Sequence, residues 1–207
     1  VSGDFCHHAI AHFLMPLFTR HDRAQFEIVA YSGGARRDDV TERFKQNLDV
    51  WRDVAHWSDE QLAERIRADG IDLLVDLSLH SAHHRLLVFA RKPAPVQVTW
   101  AGYPGGTGLD AIDYRLTDRF LDPAGESDAF YAEKSVRLPD SFWCYDPLVE
   151  TPEVNALPAL SCGSVTFGCL NKAIKINPVT VALWARVLHA MPTARMILLA
   201  PAGAVRE

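Results

Sequence analysis

The strongest constraint on this chain is an alternation. Short apolar runs recur between stretches with a helical period. The clearest run, I-D-L-L-V-D-L at Ile71–Leu77, reads as a strand of the parallel, doubly buried kind. Just before it, Ser58 and Gln61 form an S-x-x-Q capping box. Leu62 and Ile66 then recur at helical spacing as far as Asp69, and Gly70 is the stop. The same rhythm runs along most of the chain. Ile10–Thr19 has a helical period, with Pro16 expected to kink it. Phe26–Tyr31 reads as a buried strand broken by Ser32-Gly33-Gly34. A helix is expected around Val40–Asn47, capped by Asp38 or Asp39, and a short strand at Val50–Val54. Leu86–Ala90 reads as a short helix stopped ahead of Pro93 and Pro95. Strands follow at Val96–Trp100, Asp113–Thr117 and Val136–Leu138. Strand, helix, strand, helix with loops of ordinary length implies a parallel sheet covered by helices on both faces.

Residues 146–163 contain three prolines and no period, which reads as a linker. It separates a domain at 1–145 from a second at 164–207. The second starts afresh with a strand at Val165–Leu170. A helix follows at Pro178–Ala190, with Asn177 as N-cap and Pro178 at its first position, and then a strand at Met196–Leu199. The chain opens at Val1 without an initiator Met. It stops at P-A-G-A-V-R-E just after a second β-α-β unit has begun, as expected of a piece of a longer protein cut inside its second domain.

Composition narrows the function classes. The chain has 207 residues, 48% of them hydrophobic, enough for a sizeable core. A net charge of −5 argues against nucleic acid or an anionic membrane surface as the main partner, since both are met by basic patches. No apolar window is long enough to suggest a membrane span. Cys6, Cys144, Cys162 and Cys169 lack C-x-x-C spacing and read as reduced thiols in a cytoplasmic protein.

Four stretches concentrate groups that could carry chemistry. Ser2–His12, S-G-D-F-C-H-H-A-I-A-H, places Asp4, His7, His8 and His12 on a turn running into a helix. His8 and His12 are four residues apart and share a helix face. Histidine titrates near neutrality and suits proton transfer, and an anion at the helix start would meet free N–H groups. Capping or core histidines are the plainer alternative. Zinc fits poorly, because H-x-x-x-H lacks the metalloprotease glutamate and a third ligand. Gly102–Gly108, G-Y-P-G-G-T-G, allows close approach of backbone to a ligand, or is an irregular turn. It is neither a dinucleotide fingerprint nor a P-loop. Asn171–Asn177, N-K-A-I-K-I-N, sets Lys172 and Lys175 after a strand and before a helix, placed for a phosphate or simply at the surface. His80, His83, His84 and Arg85 crowd a fourth loop, where Arg85 could grip an acceptor or a phosphate, or the loop is merely polar. Three of these loops follow strands, so Ser2–His8, Leu79–Arg85 and Ala101–Gly108 should share the carboxyl rim of the sheet.

At these residues the sequence resembles the catalytic region of O-linked N-acetylglucosamine transferase, in particular that of bacterial homologues. S-G-D-F-C-H-H-A-I-A-H resembles the family's S-S-D-F-x-x-H-x-x-x-H. D-G-I-D-L-L-V-D-L resembles D-G-I-x-I-L-V. R-K-P-A-P-V-Q-V-T-W-A-G-Y-P-G-G-T-G resembles R-P-A-P-I-Q-x-x-W-x-G-Y-P-G-T-S-G. D-Y-R-L-T-D resembles D-Y-I-I-T-D, and N-K-A-I-K-I-N-P resembles N-Q-x-x-K-I-D-P. The order and spacing hold over roughly residues 1–200.

The resemblance implies an α/β fold of the GT-B type: a Rossmann-like doubly wound parallel sheet followed by the start of a second Rossmann-like domain. It implies an inverting, metal-independent enzyme with no cofactor, in which UDP-N-acetylglucosamine is a substrate. The acceptor would be a serine or threonine hydroxyl of a protein or peptide. Upstream tetratricopeptide repeats and the rest of the second domain would be partners within the same chain. It implies catalytic roles for Asp4, His8 and Lys175, and donor binding by Ala101, Gly102, Pro104, Asn171 and Lys175. Acceptor or supporting roles fall to His12, His80 and Arg85. Lys172 and His80 depart from the animal enzymes, which have glutamine and tyrosine there. A related enzyme with another UDP-sugar or a non-protein acceptor, and a catalytically silent nucleotide- or protein-binding module, remain alternatives.

Overall fold

The computed structural model describes residues 1–200; the closing P-A-G-A-V-R-E stretch lies outside the described residues. The chain divides into two units, Val1–Glu150 and the segment from Thr151 onward.

In the first unit α1 (Ala9–Arg20), β1 (Val29–Ser32), α2 (Asp39–Gln46), β2 (Val50–Asp53) and α3 (Asp59–Ala68) are followed by β3 (Leu73–Asp76) and α4 (Leu86–Ala90). Then come β4 (Val96–Thr99), β5 (Tyr114–Asp118) and β6 (Lys134–Leu138). Strands β1 and β2 pair in parallel, as do β3, β4, β5 and β6 in that order. The first two residues of the chain join the two sets. On one side Ser2 N–H donates to Tyr31 O (3.2 Å) and Gly33 N–H to Ser2 O (2.8 Å). On the other side Val1 N donates to Val75 O (2.8 Å) and Leu77 N–H to Val1 O (3.2 Å). The result is one parallel sheet with Val1–Ser2 as its central strand. From there the chain builds outward through β1 and β2, then crosses back to β3 on the other side. The order therefore reverses beside Val1–Ser2, and open α/β sheets bind ligands at such a reversal.

Both faces are covered, as the alternation requires. Along β1, Ala30 packs with Phe5, Leu14, Phe18 and Phe44 under α1 and α2. Its neighbour Tyr31 packs with Leu62, Ile66 and Phe89 under α3 and α4. That switch between successive residues is the period of a pleated strand. Phe5, Phe18 and Phe44 meet with ring centroids 5.5–6.5 Å apart, and Phe44 is fully buried. On the other face, Asp69 accepts from Tyr31 Oη (2.7 Å) and from both nitrogens of the Arg52 fork (2.6 Å each), and it pairs with Arg65 at 2.8 Å. Burial, then the bond to Asp69, pushes the Tyr31 hydroxyl pKa well above its ordinary value. Burial would raise the Asp69 carboxyl pKa, but Arg52 and its other donors outweigh it and hold it low.

Several elements differ from the sequence expectation. The strand expected from Phe26 starts at Val29, and Phe26 is exposed. The Asp22 carboxylate takes Ala24 N–H (2.9 Å) and Gln25 Nε2 (2.7 Å), folding Asp22–Phe26 into a turn. Strand β3 is buried only from Leu74 on; Leu73 is 54% exposed at its amino end. Helix α1 runs through Pro16. Proline leaves the carbonyl four residues earlier without its helical donor. That carbonyl, His12 O, accepts Asp146 N–H at 2.8 Å instead.

In the second unit a short helix, α5 (Pro158–Cys162), sits within the stretch expected to be an unstructured linker. It opens on Pro158 and closes on Gly163 in the left-handed region (φ 68°). Strands β7 (Thr166–Cys169) and β8 (Arg195–Leu198) pair in parallel around α6 (Pro178–Ala190). Asn177 caps α6 through Thr180 N–H at 2.9 Å. No helix among the described residues is long and apolar enough to cross a membrane.

Candidate functional site

Gly3–His8 leaves the carboxyl end of the central strand and turns into α1. Close backbone contact makes this possible: an ideal Cβ on Gly34 would lie 1.9 Å from Gly3 O, so only glycine fits there. The loop is also gripped by the first turn of α2. Asp38 Oδ2 accepts His7 N–H (2.8 Å), and Thr41 Oγ1 donates to Phe5 O (2.8 Å). Asp38 closes a capping box with Thr41 as well. Burial would raise its pKa, but the donors from His7 and Thr41 prevail and hold it low.

Within this frame the Asp4 carboxylate has no hydrogen-bond or ion-pair partner among the described residues and is partly exposed. His8 is the N-cap of α1, with Nδ1 accepting Ile10 N–H at 3.4 Å. A neutral ring so arranged carries its proton on Nε2 and offers a donor there. His7 is exposed and tied down only through its backbone. His12 holds the segment after β6. Its Nδ1 lies 2.9 Å from Asp146 O, and its ring stacks on Tyr145 at 5.6 Å. A carbonyl only accepts, so Nδ1 is the donor, and His12 supports rather than reacts.

The loop after β3 touches the opening loop, since an ideal Cβ on Gly3 would lie 3.3 Å from His83 Cβ. The same loop touches the one after β4: an ideal Cβ on Gly102 would lie 3.0 Å from Leu79 Cβ and Leu79 N. Three consecutive carboxyl-end loops therefore form one contiguous rim. Leu79 (φ 49°), His83 (φ 63°) and Ala101 (φ 62°) all adopt the left-handed region there. Each such residue costs about 1–3 kcal/mol, and strain of this kind clusters at functional sites. His80 is exposed on the rim, with His84 edge-on to it at 6.0 Å. Arg85 is turned away. Its Nε donates to Asp59 (2.7 Å) and its fork to Trp57 O (2.9 Å) and Val54 O (3.4 Å), so it ties α4 to the start of α3. Of the roles expected for Arg85, these bonds match the supporting one.

Two glycines of the glycine loop, Gly105 and Gly106, make room for protein. An added Cβ on Gly105 would meet the Tyr103 ring at 2.9 Å. One on Gly106 would meet the Tyr131 ring at 2.8 Å and Glu133 Oε2 at 3.1 Å. Glu133, only 3% exposed, accepts Thr107 N–H (2.6 Å) and the Thr107 hydroxyl on Oε1. Behind it the buried Arg115 stacks on Tyr131 at 3.4 Å and pairs with Asp122. A cleft of about 270 Å3 opens between His80, the Gly106–Gly108 segment and Phe130–Glu133. Pro104 is exposed and Ala101 buried.

In the second unit Asn171 lies just after β7. Lys175 closes a short 3₁₀ turn at Ala173–Lys175, two residues before the N-cap of α6, Asn177. The Lys175 side chain is exposed, with no ion-pair partner among the described residues. Also among the described residues, no three His, Cys, Asp or Glu side chains are grouped to hold a metal ion. Residue-type reasoning missed Gly34, Asp76, Asp38's grip on the opening loop, and Glu133. An acid inside the apolar V-D-L of β3 was the one available signal for Asp76.

A doubly wound parallel sheet with a titratable, strained rim at its reversal point, followed by a second parallel β-α-β unit, defines an α/β fold of the GT-B type. The chain belongs to glycosyl transferase family 41, whose model matches residues 1–155. It is 41% identical over 202 residues to a Petunia hybrida protein described as a probable UDP-N-acetylglucosamine–peptide N-acetylglucosaminyltransferase, SPINDLY. That match covers 96% of this chain and 22% of the relative. An Arabidopsis thaliana protein with the same description, SEC, is 32% identical over 210 residues, covering 96% of this chain and 21% of its own. A solved mutant of Thermobaculum terrenum O-GlcNAc transferase superposes with a TM-score of 0.85 at 43% identity, over 96% of this chain and 37% of that one. The chain thus spans about a fifth of the length of these curated relatives.

Proposed function

We propose that the complete polypeptide containing this chain is an inverting, metal-independent glycosyltransferase. It moves N-acetylglucosamine from UDP-N-acetylglucosamine to serine or threonine hydroxyls of proteins or peptides. The observation that carries this reading is the unpartnered Asp4 carboxylate at the carboxyl end of the central strand, where the strand order reverses. The names of the relatives support the donor and acceptor. The four free cysteines support a cytoplasmic setting. Upstream tetratricopeptide repeats and the remainder of the second domain are part of the same reading.

In such a reaction the acceptor oxygen attacks the anomeric carbon as the bond from that carbon to the diphosphate breaks on the opposite face. The acceptor proton must leave, and UDP departs with the electron pair. Asp4, directly or through a water, is the base that takes the proton, an effect on the order of 10²–10⁴ in rate. His8, whose Nδ1 caps α1, leaves Nε2 of the neutral ring as a donor on the same loop. Lys175 and the start of α6 carry charge toward the leaving diphosphate, and losing one such group costs on the order of 10²–10³ in rate. Ala101, Gly102 and Pro104 are the donor-binding residues of the first unit in this reading, and Asn171 is that of the second.

The test uses the complete polypeptide. Lys175→Ala should lower single-turnover transfer by the factor above and weaken UDP binding. Asp4→Asn should lower turnover while leaving UDP titration near wild type. Unchanged transfer in both variants would sink the assignment. Hydrolysis assays across a panel of UDP-sugars read the donor directly; preference for another sugar replaces N-acetylglucosamine in this reading.

A further inference from the structure

Asp76 ends β3 at the reversal point of the sheet and is 1% exposed. No lysine, arginine or histidine pairs with it among the described residues. The Val1 ammonium acts on it through space while bonding to Val75 O, so the carboxylate itself relies on hydrogen bonds for its place in the interior. Asp76 has three. Its Oδ1 accepts Ser78 N–H (3.2 Å), and its Oδ2 accepts Leu79 N–H (3.0 Å) and the Thr99 hydroxyl (2.8 Å). Its own carbonyl accepts Trp100 N–H at 2.9 Å. One residue thus fastens the loop after β3 and the end of β4 together.

What those bonds fasten is strained. Leu79 sits in the left-handed region although it is not glycine, and it is 1% exposed. Leu79 and Ser78 form the surface on which Gly102 rests, at a separation where an added Cβ would crowd their backbone at 3.0 Å. The preceding Ala101 is left-handed too. Two opposed non-glycine residues in this conformation need an external hold. The carboxylate of Asp76 is the group that supplies it at Leu79.

We propose that Asp76 is a positioning residue for the donor wall: through Leu79 it sets where Ala101 and Gly102 lie. It touches no reacting atom. The proposal rests on the reading of Ala101–Gly102 as donor-facing, so its test separates the two ideas. In the complete polypeptide, Asp76→Ala should lower kcat/KM for UDP-N-acetylglucosamine on the order of 10²-fold, as misplacement by about 1 Å does, with a rise in the donor KM. The acceptor KM should stay within about twofold, since the opening loop is held from α2 rather than by Asp76. Asp76→Asn keeps one acceptor oxygen and should recover part of the loss. Amide exchange, read by mass spectrometry, should quicken at 78–79 and 101–102 in Asp76→Ala and stay protected in α3. Exchange that rises equally across the sheet, or is unchanged in the rim, overturns the proposal, as does an Asp76→Asn variant no better than Asp76→Ala. Local loosening with an unchanged donor KM supports the hold and overturns the donor assignment of Ala101–Gly102.

Discussion

The two loops flanking the β3 turn on the rim solve the same problem by opposite means. The opening loop, Gly3–His8, is rich in titratable groups and is held from outside. Asp38 and Thr41 of α2 clasp its backbone, leaving Asp4 without a partner. The glycine loop, Gly102–Gly108, carries no acid and no histidine and is held by burial: Leu79, Tyr131 and Glu133 fill the space that side chains on Gly102 and Gly106 would need. Polar groups can stay free for chemistry only where other residues satisfy the backbone around them. Gly102 and Gly106 in this rim mark where one stretch of chain presses on another.

The sharpest way to break the contrast is at the one glycine that serves the opening loop. Gly34→Ala would place a Cβ on top of Gly3 O, so the loop must move. The expected cost is about 3 kcal/mol, the upper part of the overpacking range. It should appear as a fall in the denaturation midpoint together with lost transfer. If the variant melts and transfers like wild type, the loop is not held by that contact. Next comes Glu133→Ala, which leaves Thr107 N–H buried without its acceptor and should cost about 2 kcal/mol. Because Glu133 serves only the glycine loop, exchange should quicken at 105–108 and not at 3–8. Equal loosening of both loops would mean that they are not held separately.

The fold was legible because its signals are local. The Ser58–Gln61 box, the Asn177 cap with Pro178 behind it, and the apolar runs around Leu74 and Val98 each depend on residues a few positions apart. The departures all involve a partner distant in sequence, or a side chain that competes with the backbone. Phe26 lost its strand to the Asp22 turn. The proline in α1 kept its helix because Asp146, 134 residues beyond His12, took the spare carbonyl. At the site, residue type pointed to Asp4 and the histidines without distinguishing their roles. Nothing in the order of residues says that His12 meets Asp146 or that Arg85 meets Asp59, and those contacts make both structural. Glu133 carried no signal, since a lone acid before a short strand reads as surface until Thr107 is seen beside it.

The gentlest perturbation, and the one that most sharpens the contrast, is at Asp38. Asp38→Ala removes a helix cap, worth about 1 kcal/mol, and frees His7 N–H. Protonation does the same reversibly. The folded Asp38 carboxyl titrates below its ordinary value near 3.8, because its donors outweigh its burial. The unfolded chain therefore takes up the proton first as pH falls. The stabilisation is complete above that ordinary value and is lost as pH drops through the lower folded one. Exchange at the His7 amide, corrected for its intrinsic rate, should follow this course in the wild type and be flat with pH in Asp38→Ala. The Thr107 amide has a different carboxylate as its acceptor and should respond identically in the two proteins. A Thr107 response that changes with the Asp38 substitution would show that the two loops are clamped as one.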